Sequence, residues 1–376
     1  YVTCHYDTSD RSFTTNLGLA PEKQEMCNQY YMYYPRSVSN KWGSCRTIGC
    51  SDSNYKDAMY SQLPIGPSST ESSLLKFPPS NGLGQVSGVA VSNDGSLVYV
   101  LCRRSNKFNT KTLIQSEAIF VLDASKNGAI IKSFGSNLFA TPHGLYLDNW
   151  DGLWVTDTTL HQVFRLNASD GSVSLVMGEM RKPGKGPNHF NKPTDVVVSI
   201  ESSSGVDLRE VFVSDGYGNS RVAVFTYEGE FTREWGSFGS GPSQFSIPHN
   251  IEIDSYNRVY VADRENGRTQ IFHKNGTFID QWNGDFEKFE GKAPYYARHL
   301  SALSYSSSLE LMFLIEGTNI VVRDIAFGRN GEKVLKWHSN SRSWPHDIAI
   351  ARDTNNNLNV YIAELDGKTI SRYVIE

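Results

Sequence analysis

Short runs of alternating apolar and polar residues, broken by Gly, Asn and Asp, fill the chain from about residue 83 onward. Alternation with a period of two places one set of side chains on each face of an extended strand, and no stretch sustains the 3.6-residue period of a helix. The runs recur as units. Units open at Pro142 (PHGLYLDNWDGLWVTDTTLHQVFRL), Pro193 (PTDVVVSI, then VFVSDGYGNSRVAVF), Pro248 (PHNIEIDSYNRVYVADRENGRTQIF) and Pro345 (PHDIAIARDTNNNLNVYIAELDGKTISRYV). Each holds an alternating strand, a turn, a second strand ending on an acid (Asp157, Asp215, Asp263 or Glu364) and a third strand. Degenerate copies begin at Val86 and Leu300. Six units of roughly forty to fifty residues match the period of propeller blades. A lone blade cannot bury both faces of its sheet, so such units stack and close a ring. The chain therefore reads as all-β: a six-bladed β-propeller over 81–376, a Ser/Pro/Gly-rich linker over 51–80, and a separate cysteine- and tyrosine-rich β segment over 1–50.

The residue after each opening proline carries the first chemical signal. It is His143 in blade two, Thr194 in blade three, His249 in blade four and His346 in blade six, with Ser87 and Ser301 at the matching positions of blades one and five. The first strand of every propeller blade lines the central channel, so histidines in alternate blades sit at one height, about 120° apart. Three converging imidazoles with one open position form the ligand set of a catalytic zinc. His161, His189, His273 and His299 lack this phase and read as surface or packing residues. Asp347 follows His346 directly; strand neighbours point to opposite faces, which leaves a strand-end hydrogen bond or a hard-cation ligand open for it. Past the ends of second strands stand Arg103, Tyr217 and Arg264, where the repeated units differ from one another. The recurring Asn219 with Arg221, and Asn266 with Arg268, read instead as staples for the preceding Asp215 and Asp263.

Composition narrows the class. The formal net charge of -4 excludes a nucleic-acid-binding surface built on excess positive charge. No apolar run approaches the ~20 residues of a membrane helix. The chain opens YVTCHYDTSDRS rather than with Met, which reads as a processed product or a piece of a longer protein. Four of its five cysteines (Cys4, Cys27, Cys45 and Cys50) fall in the first fifty residues, a density typical of oxidised, secreted segments; Cys102, in the apolar run LVYVLCR, reads as a buried thiol. Glycosylation acceptors at Asn167 and Asn275 fit the same expectation of a secreted or secretory-granule protein.

Over 81–376 the chain resembles the peptidyl-α-hydroxyglycine α-amidating lyases, through NLFATPHGLYLD, FNKPTDVVV, VFVSDGYGNSR, SQFSIPHNI, VADRENGR and WPHDIA. The resemblance implies a propeller of NHL-repeat type. It makes His143, His249 and His346 zinc ligands, Tyr217 the catalytic tyrosine, and Arg103 and Arg264 active-site arginines, although Arg104 competes with its neighbour for that part. It also makes Asp347 a calcium ligand, with the carbonyls of Val89 and Leu145. The first fifty residues, through CHYDTSDRS and EMCNQYYMYYP, resemble the C-terminal end of the copper type II ascorbate-dependent monooxygenases. There Met26 matches a copper ligand and Cys4 with Cys27 matches a disulfide; copper is expected only if that domain were complete. A local pairing of Cys45 with Cys50 is left open. Two cysteine pairs common in animal members are replaced, by Asn191 with Gly218 and by Tyr260 with Ile271.

The implied reaction is zinc-dependent cleavage of the C–N bond of a peptidyl-α-hydroxyglycine, giving a peptide amide and glyoxylate, by a monomeric domain whose parent chain also carries a monooxygenase. A free phenol titrates near ~10, so Tyr217 as general base needs a nearby cation, for which Arg264 is the candidate. Arg103 would grip the glycine carboxylate, and the two arginine roles are interchangeable at this level. Two other classes compete. A non-catalytic NHL propeller would bind a protein or peptide partner on one face. A calcium-dependent propeller hydrolase would need a carboxylate-rich channel.

Overall fold

The computed structural model describes residues 83–375 apart from 127, 200, 201, 204, 205, 208, 287–294, 327–330 and 340–343, together with strands at 2–7, 12–15 and 44–45. Six antiparallel sheets of three or four strands follow one another along 83–375, each running from an innermost to an outer strand in chain order, beside two small two-stranded pairings. The innermost strands are Val86–Val91, Pro142–Leu147, Asp195–Val198, Pro248–Ile253, Leu300–Ser306 and Pro345–Arg352. Five sheets have four strands, one more than each repeat unit displays. The fourth strands, such as Ala129–Phe134 and Val173–Met177, are largely exposed and lack a clean apolar face. The sixth sheet has three strands among the described residues.

Six apolar clusters fill the gaps between neighbouring sheets. Leu101 and Val121 of blade one pack with Val155 and Phe164 of blade two. Trp154 of blade two meets Val213 and Phe225 of blade three. The series continues through Phe212 with Val261, Tyr260 with Leu314, and Phe313 with Val360. It closes where Ala349, Tyr361 and Ile370 of blade six pack on Val98 and Val100 of blade one. That last cluster makes the array a ring: a six-bladed propeller, as the repeats predict. Each buried Val, Leu or Phe stabilises such a ring by about 1.5–3 kcal/mol through area removed from water.

The acids ending the second strands are buried staples. Asp215 Oδ2 accepts from Asn219 Nδ2 (2.7 Å) and Arg221 Nε (3.0 Å); Asp263 Oδ2 accepts from Asn266 Nδ2 and Arg268 Nε, both at 2.8 Å. Asp157 accepts instead from the backbone N–H groups of Ala140, Thr141, Thr159 and Leu160. Arg221 and Arg268 are therefore structural, in agreement with the sequence pattern. Cys102 is a buried free thiol, its pKa pushed up to about 12 by burial.

The strands Val2–Asp7, Ser12–Thr15 and Ser44–Cys45 form a separate antiparallel sheet, with the first in the middle. Met26, Cys27, Cys50 and the 51–80 linker lie outside the described residues, as do the side chains of Cys4 and Cys45. Among the described residues no helix is long and apolar enough to cross a membrane.

Candidate metal centre and active site

Five of the six innermost strands share a local irregularity that aims the histidines. Pairing with the second strand shifts register between Pro248 and Asn250, and between Pro345 and Asp347. The same shift occurs between Val86 and Gly88, between Leu300 and Ala302, and across His143 and Gly144. The residue skipped in each case is the one after the opening position: His249, His346, Ser87, Ser301 and, with its neighbour, His143. A bulged residue has no partner opposite and turns its side chain out of the alternating pattern. All three histidines consequently point in toward the ring axis, while Asp347 returns to the regular ladder opposite Ala363.

Their rings converge. Ring centroids stand 4.7, 4.8 and 5.0 Å apart, all three residues are buried, and one ring nitrogen of each lies within 4.8 Å of the others. Every Nδ1 faces a backbone carbonyl at the matching position of the next blade: His143 to Thr194 O (2.8 Å), His249 to Ser301 O (2.7 Å), His346 to Ser87 O (2.8 Å). A carbonyl only accepts, so Nδ1 carries the proton and Nε2 is left with its lone pair toward the axis, the arrangement that orients metal-bound histidine. Blades one, three and five thus supply the orienting carbonyls and blades two, four and six the imidazoles. Burial, followed by the charge of neighbouring groups, holds the imidazole pKa values down, to about 3 for His346 and well below the usual value for His143 and His249. Three neutral, preoriented nitrogen donors around one point fit a zinc-type cation.

Tyr217 sits on this triad. Its Oη is 2.9 Å from His143 Nε2, 3.1 Å from His249 Nε2 and 3.2 Å from Arg264 Nη1. Its loop is drawn in by Gly216, where a Cβ would lie 2.0 Å from the Pro248 carbonyl oxygen, and by Gly218 N donating to Asn191 O. Phe108 packs edge-on against the phenol with ring centroids 5.1 Å apart. Arg264 is buried, and its remaining fork nitrogens, Nε and Nη2, donate to Glu265 Oε1. Arg103 is buried too, with Nε on Pro142 O (3.1 Å) and Nη1 on Gln85 Oε1 (3.0 Å); burial lowers its pKa to about 10. Arg104 turns the other way. It adopts φ of 54°, donates to Ser116 Oγ and lies over the Phe120 ring, so of the two arginines Arg103 is the one beside the histidines.

Of the histidines outside the shared phase, His299 lies nearest this site. It is a buried packing residue, in ring contact with Trp344, and its Nε2 also lies 3.4 Å from Glu265 Oε1, one residue past Arg264. Neither Glu265 nor His299 carries a repeat-phase signal, because each is recruited by a contact between blades four and five.

Below the triad, on the opposite side of the bulges, a cavity is lined by Val89, Leu145, Asp195, Asn250, Glu252 and Asp347 among others. Val89 N donates to Asp347 Oδ2 at 3.0 Å, and Asp195 Oδ2 accepts from Asn250 Nδ2 and Ile251 N. Burial pushes Asp347 and Glu252 each up to about 7, and Asp195 well above the carboxylate range, with the charge of Asp347 adding to the effect. The sequence-derived trio Val89, Leu145 and Asp347 is thus gathered at one cavity. Asp195 and Glu252 joined it without a sequence signal beyond their place on inner strands. Asn167, at a strand end, and Asn275, in a turn, are exposed, and each side-chain oxygen accepts from the backbone two residues on.

Comparison with known proteins agrees with this geometry. Residues 1–56 match the C-terminal domain of copper type II ascorbate-dependent monooxygenases. A mouse peptidyl-glycine α-amidating monooxygenase is 34% identical over 322 residues, covering 78% of this chain and 30% of its own length. A Drosophila melanogaster protein named peptidyl-α-hydroxyglycine α-amidating lyase 1 is 32% identical over 279 residues, covering 69% of this chain and 49% of its own length. A second from the same fly, lyase 2, is 28% identical over 312 residues, covering 78% and 73%. The chain carries an amidating-lyase-like domain preceded by the end of a copper monooxygenase domain. It spans less than a third of the mouse relative's length and about half of the first fly lyase's. Within this amidating-lyase-like propeller, two pairs of residues replace the cysteines expected from the resemblance, and both pairs are adjacent. Gly218 abuts the Asn191 side chain, and Tyr260 stands directly opposite Ile271.

Proposed function

We propose that the propeller is a lyase that cleaves peptidyl-α-hydroxyglycine into a peptide amide and glyoxylate, with zinc held by His143, His249 and His346. The observation that carries this reading is the phenol oxygen of Tyr217 resting on two inward-facing imidazole nitrogens and one guanidinium. When bound, the metal would supply Lewis acidity toward a substrate oxygen.

The chain's own residues account for the rest of the chemistry. Tyr217 Oη takes the proton of the substrate hydroxyl. The resulting oxyanion collapses to the aldehyde of glyoxylate, the C–N bond breaks, and its electron pair goes to the amide nitrogen. The proton held by Tyr217 is returned to that nitrogen, so no redox partner is consumed. Arg264, 3.2 Å from the phenol oxygen, stabilises the phenolate form that this cycle needs. Arg103 is assigned the glycine carboxylate, because its rigid fork is already anchored by Pro142 O and Gln85 and its burial strengthens a charge-assisted pair. Phe108 packs edge-on against one side of the phenol.

Calcium is proposed in the lower cavity, on Asp347 with the carbonyls of Val89 and Leu145. Its support is the set of buried carboxyls there, whose ionisation burial opposes and a divalent cation would favour. Copper has no place in the reading without a complete monooxygenase domain, and Met26 lies outside the described residues. A monomer working in a secretory compartment remains part of the proposal. Metal analysis of purified chain tests the pairing: zinc and calcium together support it, and calcium alone favours a hydrolase of the calcium-dependent type.

A further inference from the structure

Tyr217 depends on a guanidinium with three donor nitrogens, two of which bond away from the phenol. Arg264 Nη2 and Nε lie 2.7 and 3.1 Å from the same oxygen, Glu265 Oε1, leaving Nη1 to face Tyr217 Oη. Glu265 is itself anchored twice. Its backbone N donates to Ser246 O at 3.0 Å, and its carboxylate lies 3.4 Å from Nε2 of His299, which precedes the innermost strand of blade five. His299 is fixed in turn by its carbonyl, which accepts from Gly317 N at 2.8 Å. A chain of polar contacts therefore runs from blade five through blade four to the phenol: His299, Glu265, Arg264, Tyr217.

The charge pattern gives this chain a reason. Arg103 and Arg264 are both buried beside three imidazoles that fit a divalent cation. A free guanidinium in that field would be repelled toward solvent; an adjacent carboxylate bonding two of its nitrogens holds it in place and fixes its plane. We propose that Glu265, braced by His299, is the positioning residue that holds Arg264 in register with Tyr217. The proposal rests on the lyase reading above and extends it to residues that touch neither substrate nor metal.

The test is a double-mutant cycle on the zinc-loaded chain, assayed by glyoxylate release from an N-acyl-α-hydroxyglycine. Glu265→Gln keeps the shape and removes the charge. It is expected to lower kcat by about 10–100-fold, the range typical of residues that orient active-site groups, with KM within about three-fold and zinc content unchanged. In an Arg264→Lys background, which cannot use the fork, the same change is expected to cost less than about two-fold. Glu265→Asp should recover part of the loss. His299→Asn should lower kcat in the same direction and by less, and it serves as the reading if Glu265→Gln does not fold. Equal losses from Glu265→Gln in the two backgrounds would overturn the inference, because Glu265 would then act independently of Arg264. Full activity of Glu265→Gln in an active wild-type background would overturn it alone. A zinc-loaded wild type that releases no glyoxylate would overturn the lyase reading and this inference together.

Discussion

Replacing Tyr217 with Phe isolates one atom. The phenol oxygen contacts His143 Nε2, His249 Nε2 and Arg264 Nη1, whereas the ring is held separately by edge contacts with Phe108, His143 and His249. Phe keeps those ring contacts. Arg264 retains Glu265, and each imidazole retains the carbonyl on its Nδ1. Fold and zinc content should therefore change little, by ~1 kcal/mol or less of stability for a lost partly buried hydroxyl. Turnover loses its proton acceptor. A positioned general base contributes about 10²–10⁴-fold, equivalent to roughly 2.7–5.5 kcal/mol of barrier. The assay is glyoxylate release at saturating substrate, with zinc counted and thermal unfolding followed on the same sample. A fall in kcat of at least about a hundredfold at full zinc occupancy is expected. A variant within about three-fold of wild type would refute Tyr217 as the base, and a variant that lost zinc would assign it a structural part at the metal.

Three further outcomes follow from the same geometry. Arg103→Lys should raise KM more than it lowers kcat, by about tenfold or more, because an ammonium cannot reproduce a two-pronged grip on a carboxylate; steady-state kinetics with a normal kcat and normal KM would reject the assignment. Glu252, raised by burial from the ordinary carboxylate range to about 7, adds stability below its unfolded pKa that is lost as pH climbs to about 7. In a calcium-selective chelator Glu252→Gln should therefore be more stable than wild type at pH 8, by a few kcal/mol at most, with no advantage at pH 4; a pH-independent difference in melting temperature would contradict it. Asn191→Cys combined with Gly218→Cys should form a bridge between two loops already in contact, raising stability by about 2–4 kcal/mol, and two free thiols in the purified variant would show the backbone geometry to be wrong.

Much of this site could be read from the chain because a repeat converts sequence phase into position. His143, His249 and His346 share one phase, and a closed ring turns that phase into convergence. The staples on Asp215 and Asp263 were legible for the same reason, since Asn and Arg recur at similar offsets. Alternation separates His346 from Asp347 as observed, but a bulge at His346 and not the simple pleat does the aiming. A bulge depends on pairing with the next strand and leaves no mark in the strand's own pattern. Arg103 and Arg104 were equivalent in sequence; a left-handed φ at Arg104 separates them. Glu265, His299, Asp195 and Glu252 became visible only in three dimensions, because each has a contact reaching into another blade. The outer strands were likewise unreadable, being too exposed to carry an apolar face.

The central claim is that the three phased histidines hold a zinc that the lyase chemistry requires. Purified chain would be given a short N-acylated α-hydroxyglycine peptide and assayed for glyoxylate before chelation, after chelation and after zinc add-back. The account predicts release that chelation abolishes and zinc restores, with His249→Ala inactive and zinc-poor. Release that survives complete removal of zinc, or a zinc-loaded and folded chain that releases none, would contradict it.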